Sequence, residues 1–255
     1  MKGIITGEIL KLEREYNVTV LLACETGSRA WGFPSPDSDY DIRLIYKHDL
    51  DWYLSLNEKK DTIDLMLDNN MLDISGWDIK KSLGLLWKSN PPLLERLQSP
   101  IIYKSDPEFV NEMWELASET YSRIASLHHY KSLSVNMFEE ISATGNYKLK
   151  KLFYALRAAT ACKWIIDRDD IPPIEFRKMM EGLNIKSELE ERIVDLIKLK
   201  SKVDESYFHK GEEEIFKFIE SNLNLAETHG RFLPAGEGDM VKMNDFFRRK
   251  IKDED

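Results

Sequence analysis

Seventeen residues, Gly27-Ser28-Arg29-Ala30-Trp31-Gly32-Phe33-Pro34-Ser35-Pro36-Asp37-Ser38-Asp39-Tyr40-Asp41-Ile42-Arg43, constrain this chain more than any other part of it. An apolar run from Val18 to Ala23 precedes them and reads as a buried strand. Gly27-Ser28 interrupts it as a turn, and a second apolar run, Ile42 to Tyr46, follows Asp41. Asp39 and Asp41 stand two apart at the start of that run. On a strand, side chains at i and i+2 leave the same face, roughly 6.5–7 Å apart. Two carboxylates so placed can converge on a divalent cation, and hard oxygen donors suit Mg²⁺, which takes one or two carboxylates together with substrate phosphates. The Gly27-Ser28 turn adds backbone N–H groups and a hydroxyl able to hold phosphate oxygens. Asp-x-Asp alone is more often a solvated or capping pair. The turn, the strand-like flanks and the spacing make it a candidate site.

The stretch resembles the Gly-Ser…Asp-x-Asp signature of the polymerase-β-like nucleotidyltransferases. Its form here, GSRAWGFPSPDSDYDIR, is especially similar to the predicted nucleotidyltransferases of the RNA-ligase-associated family. The motifs are specific through residue 95 and weaker beyond it. The resemblance implies an α/β chain: a small mixed β-sheet nucleotidyltransferase core with helices over 1–104, then an all-α domain over 105–255 closing one wall of the cleft. It also implies transfer of an NMP from an NTP to a hydroxyl acceptor, with pyrophosphate release. Asp39 and Asp41 would carry Mg²⁺ (or Mn²⁺), and Gly27 and Ser28 would hold the β- and γ-phosphates. A third acid on a neighbouring strand would complete the metal site and help deprotonate the acceptor. Asp73 fits that place, because Asp73-Ile74, Lys81, Asn90-Pro91 and Glu95 follow the related families' spacing; Asp64, on another strand candidate, is its rival. RNA ends, a protein side chain and a small molecule all suit such a core as acceptor, and the family context favours RNA. The alternative is a nucleotide-binding regulatory module without turnover, against which the presence of all three carboxylates argues.

Charge bears on where phosphates could be held. With 36 Lys plus Arg against 45 Asp plus Glu, the formal net charge is −9, a field that opposes nonspecific nucleic-acid binding. An anionic substrate therefore needs a local cationic patch. Arg29, Arg43 and Lys81 are the candidates in the first domain, although Lys81 reads equally well as solvated. In the second, Lys150, Tyr154 and Arg157 share one stripe of a helix. That stripe could hold a triphosphate and stack on a base, and Arg157 among Ala155, Leu156, Ala158 and Ala159 is out of keeping with a solvated face. A stripe paired with acids of the first domain is the plainer reading. His128 and His129 are adjacent and diverge by about 100° on a helix, so they do not chelate one ion.

The rest of the sequence reads as helices and short strands. Met1 to Tyr16 is an amphipathic helix too charged for a signal peptide. No apolar run approaches a membrane span, and Cys24 and Cys162 read as reduced core residues, so a cytoplasmic protein is expected. Strands are expected at Thr62–Leu67 and Met71–Ile74 around an Asp68-Asn69-Asn70 turn. Ser75-Gly76 should open a helix running to about Ser89. Asn90 with Pro91 should cap the next one, and Ile101–Tyr103 should add an edge strand. Helices follow from Asp106-Pro107 to about Ala125, over Leu127–Ile141 and Tyr147–Asp167, over Arg192–Glu205 behind a Ser187/Glu190 capping box, and over Glu212–Leu223 and Lys242–Ile251.

Overall fold

The computed structural model describes residues 1–67 and 71–252 of the 255; the expected Asp68-Asn69-Asn70 turn lies outside the described residues. The chain opens with α1 (Lys2–Tyr16), β1 (Thr19–Glu25), the single turn α2 (Gly27–Trp31), β2 (Tyr40–Lys47) and α3 (Leu50–Leu54). It continues through β3 (Thr62–Leu67), β4 (Leu72–Asp78), α4 (Ile79–Trp87), α5 (Pro91–Gln98) and β5 (Ile102–Ser105). Then come α6 (Pro107–Thr120), α7 (Arg123–Thr144), β6 (Tyr147–Lys148), α8 (Leu149–Asp167) and α9 (Phe176–Glu181). The last elements are α10 (Ser187–Lys200), β7 (Phe208–His209), α11 (Glu213–His229) and α12 (Met240–Lys252). The fold is α/β, with a mixed five-stranded sheet and a helical C-terminal region. Among the described residues, no helix is long and apolar enough to cross a membrane.

The chain divides into two compact units, and neither is one continuous segment. Met1–Gly27, Asp39–Tyr121 and the stretch from Glu237 form the first; Ser28–Ser38 and Ser122–Gly236 form the second. This differs from a single cut after residue 104, for a packing reason. The apolar side of α6 meets α12, with Phe109 and Phe246 stacked at 5.8 Å and Glu112 pairing with Arg249 and Lys250. Both helices therefore belong with the sheet. Conversely, Trp31 and Phe33 of the 28–38 segment are built into the helical core: Phe33 stacks on Phe153 at 4.9 Å.

In the first unit the strand order is β3-β4-β2-β1-β5. β1 is antiparallel to β2 and to β5, β4 is antiparallel to β3, and β2 and β4 run parallel. The core is dictated by alternation. Ile42, Leu44 and Tyr46 of β2 are buried with Ile74 of β4 and with Ile5, Ile9 and Leu12 of α1, whose spacing is that of one helical face. Asp41 and Arg43 consequently share the opposite face of β2. The parallel register sets Asp41 beside Asp73 and Ile42 beside Ile74.

Three local expectations are corrected. Ser75-Gly76 does not open a helix; β4 runs on to Asp78, because Gly76 lies under the Tyr46 ring, where a Cβ would come within 3.0 Å. Asp78 instead caps α4 by accepting from Lys80 N at 2.8 Å. The helix expected from residue 106 to 125 breaks at Tyr121, and Ser122 starts α7 by accepting from Ala125 N. The Ser187/Glu190 box is not formed either: Ser187 is already the first residue of α10, and Lys186 occupies the cap position. Asn90 does cap α5, ahead of Pro91.

Candidate active site

In the sheet unit, three acids gather at the start of the parallel pair. Asp39 immediately precedes β2, Asp41 is its second residue, and Asp73 is the second residue of β4. Because β2 and β4 are parallel, register partners point to the same side of the sheet, which brings Asp73 rather than Asp64 to Asp41. Asp64 sits on the outer strand β3 opposite Ser75, accepts from its hydroxyl at 3.0 Å and pairs with Lys60, its side chain 58% exposed. Of the two acids left open at the level of sequence, Asp73 is the one that the register places beside Asp41.

Asp41 is the electrostatic centre of the group. Its carboxyl is pushed up to about 6, chiefly by burial. Arg43 pulls it back down, while the neighbouring charges of Asp39, Asp73 and Glu25 raise it. Three acids around one partly buried carboxylate form a set short of positive charge. Arg43 offsets part of this, one Nη nitrogen lying 2.6 Å from Asp41 Oδ1 and 2.7 Å from Asp73 Oδ2. With that guanidinium between them, no group of three or more His, Cys, Asp or Glu among the described residues stands ready-made as a metal cage. The donors still fit a hard divalent ion: all are carboxylate oxygens, they come from adjacent strands, and they carry more negative charge than one arginine balances.

Gly27 is shaped to this site. It holds φ at 65°, and a Cβ there would lie 2.0 Å from Asp41 Oδ2. Backbone conformation and contact both exclude a side chain. Thr26 N, just before it, donates to Asp41 O at 2.9 Å. Gly27→Ala should therefore push the Asp41 carboxylate aside, lowering transfer by about 10²-fold, as a displacement on the order of 1 Å does, and costing roughly 1–3 kcal/mol of stability. Thermal denaturation together with initial rates would check both. Unchanged rates would mean Asp41 is not the reacting group's neighbour.

Lys81 is not brought to the acids. The sequence reading began its helix at Ser75, within two turns of Asp73. β4 instead extends five residues from Asp73 to Asp78, about 16 Å at the strand rise, and Lys81 follows beyond that far end, paired with Asp61 at 2.9 Å. A direct phosphate contact beside Asp41 and Asp73 does not suit it.

The second unit holds the remaining candidates. The Ser28 hydroxyl donates to Ser38 Oγ at 3.1 Å, and Ser38 donates to Glu205 at 2.9 Å. Glu205 also takes the ammonium of Lys150, and its backbone N–H donates to Asp37 at 2.9 Å. Burial opposes the charge of Glu205, but bonds from Lys150 and Ser38 outweigh it and hold the carboxyl below its ordinary range. Buried Lys200 donates to Ser35 Oγ at 3.0 Å. The Ser28–Ser38 segment is thus pinned at its middle and end by residues that the sequence reading missed. Only Ser38, next to Asp39 in the motif, carried any local signal.

Arg29 is half-buried on α2. Tyr154 meets Trp31 edge-on at 5.0 Å, and the Lys150 ammonium lies 6.0 Å from the Tyr154 ring. Arg157 is 3% exposed, its guanidinium 4.4 Å from the Trp31 ring centre and bonded to Ile174 O. The stripe is real, yet it packs onto the motif's own tryptophan, which explains an arginine among alanines without a ligand. Within this unit Arg157 thus packs on Trp31 and bonds to Ile174 O.

A family model, RlaP, described as the RNA repair pathway DNA polymerase beta family, matches residues 1–249. The chain belongs to this family. It is also similar to the uncharacterized protein YcgL of Bacillus subtilis (strain 168), with 37% identity over 241 residues, covering 94% of this chain and 92% of the relative. A crystal structure of a nucleotidyltransferase-like protein from Exiguobacterium sibiricum 255-15 aligns over 98% of this chain and 81% of that one. The identity is 12% and the TM-score 0.28. Membership of the polymerase beta family supports a nucleotidyltransferase activity in general terms, and Gly27, Ser28, Asp39 and Asp41 stand on the β1–α2–β2 portion of the structure.

Proposed function

We propose that this chain transfers a nucleoside monophosphate from an NTP to a hydroxyl acceptor, releasing pyrophosphate. The observation that carries the reading is the in-register placement of Asp41 and Asp73 on parallel strands, with Asp39 two residues ahead of Asp41. Asp39, Asp41 and Asp73 would hold Mg²⁺ or Mn²⁺, which when bound neutralises phosphate charge and favours in-line displacement. The acceptor oxygen attacks the α-phosphorus; the new O–P bond forms as the bond to the β-phosphate oxygen breaks. Asp73 takes the hydroxyl proton, as a positioned carboxylate can. Ser28, which follows Gly27 in the motif, supplies a hydroxyl of the kind that holds phosphate oxygens.

The family description, an RNA repair pathway, favours an RNA end as acceptor. The test is incubation with α-labelled NTPs, Mg²⁺ and RNA bearing free or blocked terminal hydroxyls, alongside pooled protein and small-molecule acceptors. Label should enter RNA with a free hydroxyl and vanish when that hydroxyl is blocked. Label confined to the protein or small-molecule pool would overturn the RNA assignment. NTP binding with no labelled product in any pool would favour a binding module.

A further inference from the structure

We infer that Arg43 is the resident counter-ion of the carboxylate set, a positioning residue that governs how tightly Asp41 and Asp73 accept a divalent cation. The inference deepens the proposed function and rests on its reading of Asp39, Asp41 and Asp73 as metal ligands. A single Arg43 nitrogen lies 2.6 Å from one carboxylate and 2.7 Å from the other. That is the space any cation shared by the two acids must enter. The pair is sheltered: side-chain exposures are 18% for Arg43, 21% for Asp41 and 27% for Asp73, so screening by water is reduced.

The other guanidinium nitrogen explains how Arg43 can yield without leaving. It donates to Asp73 O and to Ile42 O, both at 3.1 Å, and these backbone bonds do not depend on the carboxylates. Asp41 and Arg43 share a face because they are two apart on β2. The register partner of Arg43 is Ser75, not an acid, so its bridging nitrogen reaches back along the strands between Asp41 and Asp73. A guanidinium there holds two like charges together in the absence of metal and competes with metal when it arrives. Removing its charge should leave the acids mutually repelling, yet more attractive to a divalent ion.

Titration calorimetry with MnCl₂ on the full-length protein tests this, with Arg43→Gln, Arg43→Lys and Asp41→Asn beside the wild type. Arg43→Gln should bind Mn²⁺ about tenfold or more tightly than wild type, since a like charge a few ångströms away is gone. Its Tm in EDTA should fall and recover on adding Mn²⁺. Arg43→Lys, which keeps the charge, should remain near wild type. Mn²⁺ binding by the wild type but not by Asp41→Asn, with Arg43→Gln no tighter than wild type, would overturn the role of Arg43 alone. Absence of Mn²⁺ binding in every variant would overturn the metal reading and this inference with it. If Arg43→Gln folds only with Mn²⁺ present, the inference is supported; if it fails to fold with or without Mn²⁺, Arg43 is a structural ion-pair partner and the inference is overturned.

Discussion

Asp41→Asn should lower nucleotidyl transfer by about 10³-fold or more if Asp41 holds the metal as proposed, because a ligand carboxylate then underwrites several kcal/mol of charge stabilisation and each decade of rate is about 1.4 kcal/mol. The amide keeps the shape beside Gly27 and leaves the fold intact. The same substitution should also change how stability responds to pH. In the folded protein the Asp41 carboxyl sits at about 6 against an ordinary 3.8, so the folded state binds this proton more tightly than the unfolded chain. For an acid whose folded pKa is raised, stability is greatest below the unfolded pKa. It declines as pH rises through the window from about 4 to 6, where the unfolded chain ionises first. The ceiling of the effect is about 3 kcal/mol. Measured in EDTA, the Tm of Asp41→Asn should therefore gain on wild type between pH 4 and pH 7. A gap that stays constant or closes over that range would contradict the crowded-carboxylate account.

Asp73→Ala should abolish turnover, by about 10²–10⁴-fold if it takes the acceptor proton, while NTP still binds. Asp64→Ala should stay within about threefold of wild type, since exposed ion pairs contribute little. The contrast follows from strand register alone: Asp73 is the partner of Asp41 on the parallel neighbour, and Asp64 lies one strand further out against Ser75. Pyrophosphate release measured on both variants decides it. Loss of turnover in Asp64→Ala with Asp73→Ala active would reverse the assignment.

The motif was legible because its geometry is local. Period-two alternation gives β2, a glycine at positive φ gives the turn, and an i, i+2 pair gives two acids on one face. Asn90-Pro91 was readable for the same reason, a cap and a first-turn proline side by side. Lys81 was misplaced because the end of β4 is set across the sheet: Gly76 reads as a helix opener in sequence, but its lack of a side chain serves the Tyr46 ring. Arg43 was recognised as a cation, yet its bridging role needs Asp73, 30 residues later on a parallel strand. Glu205 lies 167 residues beyond its partner Ser38, and nothing local to either predicts the bond. The division of the chain was hidden for the same reason, because Trp31 and Phe33, which lie between β1 and β2 in sequence, pack with residues of α8 more than 100 positions later.

The most direct measurement of the central claim is a paired labelling experiment. The protein is given Mg²⁺, an RNA acceptor and the same NTP labelled at the α-phosphate in one reaction and at the γ-phosphate in the other. Nucleotidyl transfer by the Asp39, Asp41 and Asp73 set predicts α-label in the acceptor, γ-label in pyrophosphate, and neither product with Asp41→Asn. γ-Label in the acceptor, or both products undiminished in Asp41→Asn, would contradict it.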